Sequence, residues 1–110
     1  KVVMLGIAYK EDIEDMRESP ALKVLEHLEK NHAHISVVDP YIPEFIWKGQ
    51  AFRTVNLTED LIRESDAVVI TTAHKRGINY RMVVQNADYI FDAKNVLKRF
   101  EISGANIEIL

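Results

Sequence analysis

The sequence contains no cysteine, few glycines and no long apolar run, and these absences exclude several classes of protein. Without cysteine among its 110 residues, the chain has no disulfide, no zinc–thiolate site and no thiol nucleophile, a composition that fits a cytoplasmic setting. Purely apolar runs reach four or five residues, as at 67–70. A bilayer-spanning helix needs roughly 20 such residues, so we expect no association with a membrane.

A polybasic surface is also missing. The formal charge is −3, with 28% charged and 47% hydrophobic residues, so we expect no nucleic-acid partner and one ordinary globular domain over residues 1–110. Residue 1 is Lys rather than Met and leads directly into an apolar strand, so we expect no signal peptide. We interpret the chain as a piece of a longer protein.

Strand-like and helix-like patterns alternate along the chain. Residues 2–5, 35–38 and 68–71 are continuous and rich in β-branched side chains, as is typical of parallel strands covered on both faces. Helices begin at Pro20, after a Ser19 cap, and after a Thr58 cap. Weaker patterns predict strands at 52–57, 89–91 and 107–110 and helices at 79–86 and 98–100, whereas 41–50 reads as irregular. The order predicts an α/β fold, a Rossmann-like three-layer domain with a mostly parallel sheet.

The connection between the first strand and the first helix is unusually long. It runs from Gly6 to Ser19, whereas such loops usually have about two to six residues, and long loops are often functional. It contains Lys10 and Arg17 together with five acidic residues, and it ends at a helix N-terminus, where anions are favoured. Two interpretations remain open: an anion-binding loop, or a solvated turn whose charges pair locally.

Two further polar residues follow predicted strands. Asp39 occupies the position at which dinucleotide-binding folds have an acid for the ribose, but the first turn has Gly6 alone instead of G-x-G-x-x-G, so we do not assign a ribose contact. His74 is either a ligand-facing donor or an ordinary loop histidine. The remaining histidines fit no metal-site spacing and are expected at the surface; they are His27, His32 and His34. We therefore predict no metal site.

The stretch 5–22, LGIAYKEDIEDMRESPAL, resembles the opening signature of the C-terminal domain in the UDP-glucose/GDP-mannose dehydrogenase family. The likeness continues through the DPY triplet at 39–41, the strand 65–70, the Thr-x-x-His turn at 71–74 and the segment 90–95. The triplet Ala-Tyr-Lys and the Thr-x-x-His turn resemble the UDP-N-acetylhexosamine 6-dehydrogenase branch more than the UDP-glucose branch.

This resemblance implies a part in an NAD-dependent reaction that oxidises the C6 alcohol of a UDP-sugar to a carboxylate by two hydride transfers. It implies that Tyr9, Lys10 and Lys94 contact the substrate, although the family usually has Arg at the position of Lys94. It assigns Arg17 to the cofactor. The catalytic cysteine and most NAD contacts would belong to upstream domains, so no catalytic residue is expected in this chain.

The partners implied by the resemblance are a UDP-sugar, the upstream NAD-binding and central domains of the same protein, and further copies in a homo-oligomeric full-length enzyme. A different class of function also fits the residues. The chain could be a free-standing Rossmann-like module that binds a nucleotide or a protein partner without catalysis, and the residues upstream of Lys1 would distinguish the two.

Overall fold

The computed structural model describes residues 1–8 and 19–109. The strands are β1 (Val2–Leu5), β2 (Ile35–Val38), β3 (Glu44–Trp47), β4 (Gln50–Arg53), β5 (Ala67–Ile70), β6 (Ile90–Asp92) and β7 (Ile107–Ile109). The helices are α1 (Pro20–Lys30), α2 (Glu59–Arg63), α3 (Tyr80–Asn86) and α4 (Val96–Arg99).

Five strands form one parallel sheet in the order β2-β1-β5-β6-β7. In the centre, Val3 of β1 is paired with Ser36 of β2 on one side and with Val68 of β5 on the other. Continuous apolar strands of this kind are stable when both faces are covered. The predicted α/β fold with a mostly parallel sheet is therefore confirmed.

Side chains on the two faces of the sheet enter two separate cores. Val3 and Leu5 point into a core that is completed by α2, α3 and α4, whereas Met4, between them in sequence, points into a core shared with α1 and β3. This division follows from the two-residue period of a strand. Elements therefore cover both faces, which confirms the predicted three layers.

The helix starts predicted from capping residues are correct. The Ser19 hydroxyl accepts a hydrogen bond from the Ala21 N–H at 3.2 Å, and Pro20 follows as the first helical residue. Thr58 caps α2 by accepting from the Leu61 N–H at 3.1 Å. Each cap satisfies an N–H group that the first helical turn leaves unpaired.

The irregular structure predicted for 41–50 is wrong, because β3 and β4 form an antiparallel hairpin. Its two-residue loop, Lys48 and Gly49, has positive φ at both positions (50° and 77°), the backbone of the tight turns that match strand twist. The strand predicted at 52–57 is shifted, since β4 ends at Arg53. Phe45 and Phe52 stack at 5.5 Å between ring centroids and join the core beneath α1.

Candidate functional site

The carboxyl ends of the central strands form the best-defined polar region of the fold. β1 lies between β2 and β5, so the chain leaves β1 toward one side of the sheet and later returns to the other. Ligands of open parallel sheets bind where connections diverge in this way. We call this region the carboxyl edge; among the described residues it comprises 6–8, 39–41, 71–79 and 93–95.

Gly6 allows two loops of the carboxyl edge to approach each other closely. It has φ +106°, and a Cβ at this position would lie 2.3 Å from the Thr72 Cβ and 2.7 Å from the Thr72 backbone nitrogen. The Thr71 hydroxyl also donates to the Gly6 carbonyl at 2.5 Å. Only glycine fits both this backbone conformation and this contact.

The side chain of Asp39 joins three loops of the carboxyl edge. Its Oδ2 accepts hydrogen bonds from the N–H groups of Ile7 at 2.8 Å and Ala8 at 3.0 Å, and lies 3.0 Å from His74 Nε2. Its Oδ1 accepts from the Tyr41 N–H at 2.9 Å. We call these five residues the Asp39 cluster. The side chains of Asp39 and His74 are both 0% exposed.

Charge is stabilised at Asp39 despite its burial. Burial by itself would raise the pKa of this carboxyl group, but the hydrogen bonds from His74 and from the N–H groups of Ile7 and Tyr41 outweigh it and hold the pKa below its ordinary value of 3.8. Asp39 is therefore a carboxylate at neutral pH. It acts as an acceptor that fixes the backbone after β1.

The two described ends of the long loop meet at Ala8. Its carbonyl accepts hydrogen bonds from the Thr72 hydroxyl at 2.8 Å and from the Ser19 hydroxyl at 3.1 Å. Ser19 is 3% exposed and also caps α1, so one buried side chain fixes both the end of the loop and the start of the helix. Ala8 and Ser19, the described residues on either side of 9–18, are therefore joined to each other at the carboxyl edge.

Three of the four predicted ligand contacts, Tyr9, Lys10 and Arg17, lie outside the described residues. The fourth, Lys94, is exposed in the turn after β6, on the carboxyl edge. The buried carboxylate of Asp92 fixes this turn by accepting from the Lys94 N–H at 3.2 Å and from two further N–H groups at the start of α4. The ligand roles of all four residues stay predictions.

His74 lies in the loop after β5, and its side chain is buried against Asp39, a contact that neither interpretation of this residue included. Both carboxylate oxygens of Asp39 are engaged within the cluster. The predicted surface positions of His27, His32 and His34 are confirmed.

Sequence reasoning did not identify Thr71 and Thr72, which are 5% and 2% exposed and bind the backbone after β1. Two hydroxyl residues directly after a buried strand could have indicated such contacts, because buried hydroxyl groups need hydrogen-bond acceptors.

The turn after β1 does not fit the pyrophosphate of a dinucleotide. In folds that bind NAD there, backbone N–H groups of a glycine-rich turn face the phosphates. Here the N–H groups of Ile7 and Ala8 are bonded to Asp39, and the turn has Gly6 alone. Any NAD used by the complete protein would be held mainly by other parts of it.

The carboxyl edge nevertheless carries positive charge and an adjoining space. Lys75, Arg76 and Lys94 are exposed on its loops. A cleft of about 280 Å³ adjoins Asp39, between the edge and the segment that follows β4, and it is lined by Val38, Asp39, Pro40, Pro43, Thr54, Val55, Asn56, Leu57 and Gly77. Exposed cations on these loops favour an anionic ligand.

Residues 1–8 and 19–109 contain no group of three or more side chains that could hold a metal ion. In the same described part of the chain, every helix is too short or too polar to cross a bilayer.

Comparison with known proteins identifies relatives of both sequence and fold. UDP-N-acetyl-D-mannosamine dehydrogenase of Methanococcus aeolicus is 31% identical over 119 residues, covering 100% of this chain and 26% of the relative. The enzyme of the same name from Campylobacter jejuni is 38% identical over 81 residues, covering 71% of this chain and 20% of the relative. The solved UDP-D-ManNAc dehydrogenase of Pyrococcus horikoshii matches 98% of this chain, with a TM-score of 0.72 and 26% identity.

The chain thus spans about a quarter of the length of these relatives; for the Methanococcus protein the matched share is 26%. The resemblance to the UDP-N-acetylhexosamine branch agrees with their names. A family model described as the UDP binding domain of UDP-glucose/GDP-mannose dehydrogenases matches residues 3–99, which include all the loops of the carboxyl edge. The chain therefore belongs to the UDP-glucose/GDP-mannose dehydrogenase family and corresponds to its UDP binding domain.

Proposed function

We propose that this chain is the nucleotide-sugar-binding domain of an NAD-dependent UDP-sugar 6-dehydrogenase and that the UDP group binds at its carboxyl edge. The observation that carries the proposal is the match to the UDP binding domain over residues 3–99, which spans every loop of that edge. The position agrees with the general rule that ligands bind at the carboxyl ends of parallel strands. The relatives named above favour a UDP-N-acetylhexosamine, in particular UDP-N-acetyl-D-mannosamine, as the substrate.

The charged residues suit this ligand. Lys10 and Lys94 supply compact cations for phosphate or for the carboxylate that forms at C6, and Tyr9 supplies an aromatic face with a hydroxyl. Arg17 supplies a planar fork that suits the cofactor's pyrophosphate. Within the complete enzyme, this domain binds and orients the UDP-sugar in the cytoplasm, while the upstream domains of a homo-oligomer supply NAD and the groups that react.

Titration of the 110-residue chain with UDP tests the site. We expect weak binding, because half of a cleft buries less of a ligand than a closed one. In two-dimensional NMR spectra, the amides of Gly6, Thr72 and Lys94 should shift together. Lys94→Ala should weaken binding further, whereas Lys30→Ala, an exposed lysine at the C-terminal end of α1, should not. Shifts confined to the opposite edge of the sheet would contradict the proposal.

Kinetics of the complete protein test the separate roles of the two loop cations. Lys10→Ala should lower turnover or UDP-sugar affinity and leave the NAD requirement nearly unchanged. Arg17→Lys keeps the charge but loses the fork, so it should chiefly raise the NAD concentration required, by an amount equivalent to about 1–3 kcal/mol. Wild-type constants for both variants would indicate a solvated turn, and a complete protein without dehydrogenase activity would favour the free-standing binding module.

A further inference from the structure

Asp39 and His74 come from opposite sides of β1. Asp39 follows β2, His74 lies beyond the end of β5, and β1 runs between these two strands. Their contact, 3.0 Å from Nε2 to Oδ2, therefore passes over the carboxyl end of β1. The same Oδ2 accepts from the N–H groups of Ile7 and Ala8, so the pair encloses the backbone that leads into residue 9.

His74 is in turn fixed by the loop that carries it. Its carbonyl accepts a hydrogen bond from the buried Tyr80 hydroxyl at 2.6 Å, and its ring packs on that of Tyr41 at 4.8 Å between centroids. Tyr41 also donates its N–H to Asp39. If the loop after β5 moves, the side chains of His74 and Asp39 therefore pass that movement to the turn after β1 by direct contact.

Stability alone does not explain a charged residue at this position. Burying a carboxylate carries a large desolvation cost, and apolar residues of similar volume often give equal or greater stability. An apolar pair would make no directional contacts. The Asp39 carboxylate accepts from three donors on one oxygen, and these hydrogen bonds fix the orientation of the Ile7 and Ala8 N–H groups.

We propose that Asp39 and His74 are positioning residues that set the affinity of the carboxyl edge for a nucleoside diphosphate by fixing the backbone of Ile7 and Ala8. The inference rests on the proposed function. His74 has no access to ligand itself, since its side chain is 0% exposed, so it acts through Asp39. The loop after β5 and the turn at residues 6–8 consequently act together in binding.

The test compares two replacements of His74 in the 110-residue chain. His74→Leu removes the donor to Asp39, whereas His74→Gln retains an N–H donor at a similar distance from the backbone. UDP affinity is measured by titration calorimetry or NMR, and exchange of the Ile7 and Ala8 amides is measured in the same samples. We expect about a tenfold loss of UDP affinity in His74→Leu, equivalent to about 1.4 kcal/mol, with recovery to within about threefold in His74→Gln.

Ser65→Ala is the matched control. Ser65 is 4% exposed and donates to the Ile62 carbonyl at 2.7 Å, but it precedes β5 at the opposite edge of the sheet. It should lower stability without changing UDP affinity or selectively changing exchange at Ile7 and Ala8. Faster exchange should be confined to these two amides in His74→Leu.

The outcomes separate this inference from the proposed function. If the wild-type chain binds UDP and His74→Leu binds it equally well, the positioning role is wrong and the proposed site stands. If the wild-type chain does not bind UDP, the proposed site fails for this chain, and selective exchange at Ile7 and Ala8 decides the positioning role alone. Exchange that rises uniformly along the chain, or equal loss of affinity in Ser65→Ala, would overturn it.

Discussion

Replacing Gly6 by alanine should be far more damaging than the same replacement at Gly49, although both glycines have positive φ (+106° and +77°). At Gly6 the new Cβ would lie 2.3 Å from the Cβ and 2.7 Å from the backbone nitrogen of Thr72, whereas at Gly49 nothing lies within 4 Å. The pair therefore separates steric overlap at the carboxyl edge from the cost of an unfavourable backbone conformation.

The cost that both replacements share, that of placing alanine at positive φ, is small. A left-handed backbone disfavours alanine by roughly 1–2 kcal/mol, and the reduced entropy of the unfolded chain returns about 0.4–1 kcal/mol. Gly49→Ala should therefore lower the free energy of unfolding by about 1.6 kcal/mol or less. Gly6→Ala must in addition displace the buried Thr72, with strain of about 1–3 kcal/mol, and weaken its hydrogen bond to Ala8. We expect a total loss of about 3–5 kcal/mol.

Urea denaturation followed by far-ultraviolet circular dichroism provides the measurement, because the signal reports on all helices and strands and not only on the hairpin that carries Trp47. Equal slopes with a much lower midpoint for Gly6→Ala would support the reasoning. Equal midpoints for Gly6→Ala and Gly49→Ala would refute it, since the close contact with Thr72 would then be relieved at no cost.

Two further predictions concern the buried acid and the hairpin. Asp39→Asn should cost about 2–4 kcal/mol at neutral pH. Because folding lowers the pKa of Asp39, its contribution is complete above about 3.8 and is lost as pH falls through the lower folded value, so the difference between wild type and variant in urea denaturation should shrink in acid. Phe45→Ala should cost about 3–5 kcal/mol and Ile46→Ala less than about 0.5 kcal/mol, because the two residues are 5% and 74% exposed; equal losses would contradict the packing of the hairpin.

Elements that carry a continuous apolar run or a capping residue could be predicted from the sequence. The parallel strands were predicted from short runs of β-branched apolar residues, and the starts of α1 and α2 from a side-chain oxygen that accepts an N–H. Each of these signals lies within one short segment of the sequence.

The hairpin was missed although it has a local signal. Phe45 and Trp47 point to the core side and alternate with an exposed position, but that position is Ile46, so the pattern of apolar and polar residues is broken. The Lys48-Gly49 loop lacks the asparagine or aspartate usual at its first position. The strands are held by packing beneath α1, a tertiary effect that the segment does not encode alone.

The Asp39 cluster could be predicted only in part. The sequence places Asp39 and His74 after two strands, but whether their side chains meet depends on which strand lies between them. Strand order is a property of the whole sheet, and here it puts β1 in the middle. The sequence therefore predicts the positions of both residues along the chain but not the burial of His74 against Asp39.

Buried polar residues are concentrated at the carboxyl edge. Of the seven among the described residues, only Ser65 lies at the opposite edge. Four belong to the carboxyl edge, namely Asp39, Thr71, Thr72 and His74, and Ser19 and Asp92 bond to its loops. Each buried polar group costs free energy unless it is hydrogen-bonded, and apolar side chains would hold the sheet together without that cost. Since most of these residues bond to the backbone of the loops, their common effect is to fix loop geometry, which is the property that a binding edge requires and a purely structural edge does not.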